Sequence, residues 1–67
     1  VTSEMPGVVL RVLANAGDAI SAGESVLVIE AMKMEVHISA PVSGTVAEVA
    51  VAVGDQVTTG QEVATIA

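Results

Sequence analysis

The sequence predicts an all-β domain shaped as a small barrel or a flattened sandwich. Its 67 residues include fourteen valines and four isoleucines but no aromatic residue, and this β-branched excess favours strands over helices. Glycines and Gly-Asp pairs recur at short intervals, a spacing of turns that is typical of all-β proteins. The length allows one small domain, which we assign to residues 1–67.

An internal repeat divides the domain into two units, at about residues 7–30 and 44–67. Residues 7–29 match residues 44–66 at a constant offset of 37 without a gap. We therefore expect two similar β units packed about an approximate two-fold axis. The identical pairs are Gly7 with Gly44, Val9 with Val46, Val12 with Val49, Gly17 with Gly54, Asp18 with Asp55, Gly23 with Gly60, Val26 with Val63, and Ile29 with Ile66.

Both units follow the same order of elements. An apolar strand opens each unit, at residues 8–14 and 45–51, and a Gly-Asp turn ends it. A two-residue apolar stretch comes next, at 19–20 and 56–57, and a single glycine makes the second turn. The final strands are predicted at 25–30 and 62–66.

The opening strands break simple alternation. Val9 and Val12 are three residues apart, as are their repeat partners Val46 and Val49, so each pair would face opposite sides of a regular strand. A β-bulge near residues 10–11 and 47–48 would turn all four valines inward. Bent strands of this kind suit a barrel or a flattened sandwich.

The segment between the units predicts a hairpin with Lys33 at its tip. Val36 and Ile38 alternate with polar residues, which indicates a half-buried strand antiparallel to the preceding one. The tip, Met32-Lys33, is a poor turn sequence because tight hairpins favour residues that accept positive φ. A local rule broken at one place indicates function there. The repeat also places the position equivalent to Lys33 near the chain ends, so we expect the ends at the opposite pole.

Charge and composition exclude several function classes. The net charge of −6 argues against nucleic acid and anionic membrane surfaces as partners. No apolar run approaches the roughly 20 residues that span a bilayer, so we expect no membrane insertion. The absence of cysteine fits a cytoplasmic protein. His37 is the sole histidine, is expected on the surface, and cannot form a metal site alone.

The segment Glu30-Ala31-Met32-Lys33-Met34-Glu35 resembles the biotin attachment motif of biotin-dependent carboxylases and decarboxylases. The resemblance extends over essentially the whole chain, through Met5-Pro6-Gly7, Pro41 and the glycines of both units. It implies a barrel-sandwich hybrid of two four-stranded antiparallel sheets, with Lys33 at a tight hairpin tip opposite the termini.

The resemblance also implies a function. Lys33 would be covalently biotinylated by a biotin protein ligase that recognises Met32 and Met34, with Ala31 and Glu35 as secondary motif members. The biotin would carry carboxyl groups as carboxybiotin between two active sites, on partner biotin carboxylase and carboxyltransferase or decarboxylase domains. The domain itself would be non-catalytic. Because the first unit has no insertion, the parent would resemble pyruvate or acyl-CoA carboxylases, transcarboxylase or sodium-pumping decarboxylases.

Two alternatives use the same architecture. A lipoyl domain of a 2-oxo-acid dehydrogenase complex shares the repeat and the lysine at the tip, but usually has Asp before that lysine, where this chain has Met32. A non-carrier β interaction module would not need methionine on both sides of Lys33. The modification state of Lys33 distinguishes these readings.

Overall fold

The computed structural model describes all 67 residues and contains seven β-strands. No helix forms, so no helical segment has the length and apolarity needed to cross a membrane. The strands are β1 (Gly7–Val12), β2 (Ala19–Ile20), β3 (Ser25–Ala31), β4 (Met34–Ser39), β5 (Gly44–Val49), β6 (Gln56–Val57) and β7 (Ala64–Ile66).

The strands form two antiparallel sheets, which confirms the predicted all-β class. One sheet has the order β4-β3-β1-β6 and the other has the order β2-β5-β7. The second sheet thus has three strands where four were expected. Its fourth position is taken by the first residues of the chain. Thr2 and Glu62 form an isolated antiparallel bridge there, and the backbones of Val1 and Ser3 make hydrogen bonds to residues 60–64.

The two repeat units interlock through their shortest strands. In each unit the two-residue strand leaves its own unit and pairs with the long opening strand of the other, β2 with β5 and β6 with β1. The hydrogen bonds repeat as well: Val9 N donates to Asp55 O at 2.9 Å, and Val46 N donates to Asp18 O at 2.8 Å. This exchange makes one core from the two units, and the strand pairings of the first unit recur in the second.

The predicted bulges are present in both opening strands. The register of β1 against β3 shifts between Val9 and Arg11, and that of β5 against β7 shifts between Val46 and Glu48. Val9 and Val46 are consequently fully buried, and the valines three residues later pack against the core from its edge. The bulge therefore restores an inward face to sequences that break simple alternation.

The core between the sheets is aliphatic throughout. Thirteen buried residues form a single cluster, with Leu27 and Ile29 as its largest fully buried side chains. Ser3 is the one buried polar residue, and its hydroxyl donates to the Met5 carbonyl at 2.6 Å. The cluster consists of Val9, Ala14, Ile20, Val26, Leu27, Ile29, Ala31, Ile38, Ala40, Val46, Val57, Val63 and Ala64.

Strand directions separate the β3–β4 hairpin from the last strand. β4 runs away from the hairpin turn, and a four-residue connection then starts β5 at the far end of the molecule. β7 is antiparallel to β5 and pairs Ile66 with Val46, so it finishes at that far end. The amino group of Val1 donates to Ala64 O at 2.8 Å, which joins the first residue to the same strand. The hairpin turn and the end of β7 therefore face opposite directions.

Candidate functional site

The hairpin of β3 and β4 carries Lys33 at its tip. The paired ladder runs from Ser25 opposite Ser39 to Ala31 opposite Met34, which leaves Met32 and Lys33 as a two-residue loop. Both residues have positive φ, 53° for Met32 and 66° for Lys33, and no other non-glycine residue does. Left-handed backbone costs an L-residue about 1–2 kcal/mol. The ladder below the turn holds this unfavourable sequence in the geometry that a two-residue hairpin requires.

The side chains around the turn divide sharply between core and solvent. Ala31 is buried beneath the turn, whereas Met32 is 94% exposed and Met34 is 68% exposed. Lys33 is exposed, and its ammonium group has no ion-pair partner in the structure. Two exposed methionines beside an exposed amine present a soft apolar surface that another protein can contact.

An outer row of side chains crosses the four-stranded sheet just below the hairpin turn. It consists of Gln56, Val8, Glu30 and Glu35, which are direct cross-strand neighbours on β6, β1, β3 and β4 in that order. Glu30 and Glu35 are thus two like charges placed directly opposite each other, an arrangement that destabilises a sheet. The row therefore places both acids of the motif, Glu30 and Glu35, one residue pair below the turn that carries Lys33.

Arg11, on the next outward-facing row of the same sheet, offsets this repulsion. Its Nη2 lies 2.9 Å from Glu35 Oε1, so the side chain crosses over β3 to reach β4. Val28 is only 1% exposed although it lies outside the core cluster, and it pairs directly with Arg11. The arginine stem therefore shields an apolar residue on the outer face while its guanidinium neutralises Glu35.

A cleft of about 330 Å³ opens beside the hairpin turn. We call it the hairpin cleft. Its walls come from the end of β3, the start of β1 and the short strand β6, so both repeat units contribute to it. The lining residues are Pro6, Gly7, Val8, Glu30, Ala31, Met32, Gln56, Val57 and Thr58.

The structure brings the five predicted site residues together and adds two that sequence reasoning missed. Ala31 to Glu35 occupy one hairpin end, with Glu35 engaged by Arg11. Arg11 could have been suspected, since it is the only basic side chain besides Lys33. Gln56 gave no such signal. His37 is exposed as expected, and its Nδ1 lies 3.1 Å from Ser25 Oγ.

Comparison with known proteins gives a consistent set of relatives. A family model described as "Biotin-requiring enzyme" matches residues 1–66. The biotin carboxyl carrier protein of Streptococcus mutans is 44% identical over 63 residues, which cover 94% of this chain and 48% of that protein. The chain therefore spans about half the length of this curated relative.

Solved structures show the same fold. The urea carboxylase of Kluyveromyces lactis superimposes with a TM-score of 0.94 at 39% identity, covering 98% of this chain and 6% of that one. The lipoyl domain of the 2-oxoglutarate dehydrogenase complex from Azotobacter vinelandii gives a TM-score of 0.76 at 26% identity, covering 92% and 78% of the two chains. The urea carboxylase is thus the more similar of the two in both structure and sequence.

Proposed function

Because the chain belongs to the family of biotin-requiring enzymes, we propose that it is a biotin carboxyl carrier domain whose biotin is attached to Lys33. The observation that carries this proposal is the position of Lys33. It is the only lysine of the chain, and it lies in an exposed two-residue turn between two exposed methionines. The 44% identity to a biotin carboxyl carrier protein supports the carrier role.

The residues present fit covalently bound biotin. Biotin attaches through an amide, which requires an accessible amine, and Nζ of Lys33 is exposed and makes no ion pair. When bound, biotin supplies a ureido ring that takes up and releases a carboxyl group. The domain holds that ring on a long arm and supplies no catalytic groups of its own.

A biotin protein ligase would modify Lys33 from outside the domain. The lysine amine must be neutral to attack the activated carboxyl of biotin, and the ligase site would provide those conditions. Met32 and Met34 would be the residues that the ligase contacts, since they are the exposed apolar groups on either side. Ala31 would support them from beneath the turn, and Glu35 from the first pairs of the ladder. Amide formation removes one positive charge from a chain whose net charge is −6.

The partners of the loaded domain would be two active sites on other domains or subunits, a biotin carboxylase and a carboxyltransferase or decarboxylase. Tethering makes each delivery effectively intramolecular, at a high local concentration. The rigid hairpin fixes the root of the arm while the arm itself remains free. The proposal places the domain in the cytoplasm, which agrees with a chain that contains no cysteine.

The experiment is enzymatic modification followed by intact-mass measurement. The purified domain is incubated with biotin protein ligase, ATP and biotin, and in parallel with a lipoate ligase and lipoate. We expect one biotinyl group, mapped by peptide sequencing to Lys33, and no modification of the matched Lys33→Arg variant. Lipoylation without biotinylation would instead indicate a lipoyl carrier. A folded domain that neither enzyme modifies would indicate an interaction module.

A further inference from the structure

We propose that the hairpin cleft is a seat for the bicyclic head of the biotin carried on Lys33, an inference that rests on the proposed function. The volume of about 330 Å³ falls at the lower end of the range for small-molecule sites, which is roughly 300–1,000 Å³. Ala31 and Met32, the two residues before Lys33, form one wall. The arm therefore begins at the rim of the cleft.

The polar groups in the cleft complement those of the ureido ring. That ring has two N–H donors and one carbonyl acceptor beside an apolar thioether ring. Glu30 and Gln56 line the cleft beside Val8 and Met32. The carboxylate of Glu30 can act as an acceptor, and the carboxamide of Gln56 can act as both donor and acceptor. Glu30 and Gln56 are also on the same outer row, separated only by Val8.

These polar side chains are free to bind a ligand. Glu30 and Gln56 make no side-chain hydrogen bond or ion pair anywhere in the structure, although eleven such bonds involving side chains or the amino terminus form elsewhere. Glu35, the other acid of the outer row, is engaged by Arg11. The contrast assigns Glu30, and not Glu35, as the acceptor for the ureido N–H groups.

The internal repeat shows that these groups are specific to the hairpin end. Under the offset of 37, Gln56 corresponds to Ala19 and Glu30 to Ala67, so the mates of both side chains are methyl groups. The backbone is otherwise equivalent at the two positions. A β-carbon added to Gly7 or to Gly44 would in each case lie 2.6 Å from a backbone carbonyl oxygen. The polar pair therefore does not arise from the needs of the fold.

Weak binding is sufficient to hold the tethered biotin ring in the hairpin cleft for part of the time. A tethered group has an effective concentration in the mM range, so even low intrinsic affinity keeps the ring in the cleft for part of the time. The exposure of Glu30 and Gln56 keeps the contacts weak, because water competes for them. The ring can therefore leave for a partner active site without a large barrier.

The test compares amide spectra of the ¹⁵N-labelled domain before and after biotinylation, with complete modification verified by intact mass. We expect shifts at Gly7, Glu30 and Val57, and none at the repeat mates Gly44 and Ile20. Contacts from the ureido N–H protons to the side-chain methylene protons of Glu30 should appear as cross-relaxation peaks. Complete biotinylation with shifts confined to residues 32–34 would overturn the seat and leave the proposed function intact.

Variants separate binding from a general change in charge. The double variant Glu30→Gln with Gln56→Ala should reduce the biotin-dependent shifts by about twofold or more, since it removes the Gln56 contact and replaces the charged acceptor at position 30 with a weaker neutral one. The control is Glu48→Gln on β5, which removes the same charge from an exposed acid without hydrogen bonds on the other sheet. Unchanged shifts in the double variant, or an equal loss in the control, would refute the seat. A mass spectrum without biotin on Lys33 would reject the function and the seat together.

Discussion

Gly7 and Glu30 lie so close that a β-carbon on Gly7 would sit 2.6 Å from the Glu30 carbonyl oxygen. The same β-carbon would lie 3.2 Å from the Ile29 side chain. This contact brings the start of β1 against the turn end of the hairpin, next to the hairpin cleft. Gly7 has no positive φ, so here glycine is required for space and not for backbone conformation.

Replacing Gly7 with alanine should destabilise the domain. The obstructing atom belongs to the backbone and cannot rotate away, so β1 must move from β3, at a cost of about 1–3 kcal/mol. Urea unfolding, followed by circular dichroism, measures the change. A Gly7→Ala domain with an unaltered midpoint would show that β1 and β3 adjust freely at this position.

Replacing Gly17 or Gly54 with valine should also destabilise, but for a different reason. Nothing lies within 4 Å of an added β-carbon at either position, and the φ angles are +95° and +93°. The cost is therefore conformational, about 1 kcal/mol or more, and should be nearly equal for the two repeat mates. Parallel thermal unfolding of both variants tests this equality. Biotinylation of Lys33 should proceed normally in each.

Replacing Lys33 with arginine should abolish biotinylation and leave stability almost unchanged. The side chain is exposed and makes no ion pair, so its loss removes no packing. The loop retains a non-glycine residue at φ 66°, so the backbone strain also persists. Intact mass and thermal unfolding of the variant provide both readouts. A large fall in the melting temperature would contradict an exposed turn.

Replacing Met32 with asparagine should stabilise the fold and weaken recognition by the ligase. Met32 has φ 53°, and asparagine tolerates this region better, which gives a gain on the order of 1 kcal/mol. The exposed thioether would be lost at the same time, so kcat/KM for biotinylation should fall. Met34→Asn is the matched control: Met34 lies in β4 without positive φ, so that variant should lose stability.

Replacing Arg11 with methionine separates the two roles of this side chain. Methionine retains an apolar stem over Val28 but cannot pair with Glu35, so the loss should stay below about 1 kcal/mol and should shrink further in high salt. Arg11→Ala should lose more, because Val28 is then exposed. If both variants unfold at the same urea concentration, Arg11 does not shield Val28.

The strands were predicted closely where their limits depend on local signals. The two-residue strands β2 and β6 fall at the positions expected from the turns beside them. The first strand was expected through residue 14 but ends at Val12, because Leu13 N and Ala14 N both donate to Val26 O and leave the regular ladder. The last strand begins at Ala64 and not at 62, because Glu62 pairs with Thr2 instead. Both differences depend on partners distant in the chain.

The candidate site likewise combines features that local sequence patterns predict with features that depend on partners distant in the chain. The tip position of Lys33 followed from the repeat and the alternation of β4, both of which are local patterns. The ion pair between Arg11 and Glu35 could not be predicted from the sequence. The same holds for the cleft that Glu30 and Gln56 line together. Arg11 reaches Glu35 because β3 lies between β1 and β4, and Glu30 and Gln56 line one cleft because β1 lies between β3 and β6. The position of β6 beside β1 depends on the exchange of short strands between the two units.

The sequence alone determined the two-fold plan, the bulged valine strands and an exposed lysine between methionines, because periodicity and turn chemistry act over a few residues. Only the tertiary structure decided the left-handed backbone of Met32 and Lys33, the outer row below them and the cleft beside the hairpin turn. The outer row and the cleft need strands that are distant in sequence to be aligned in one register, whereas the turn needs the complete β3–β4 ladder below it. That alignment is set by packing of the shared aliphatic core, which no local pattern specifies.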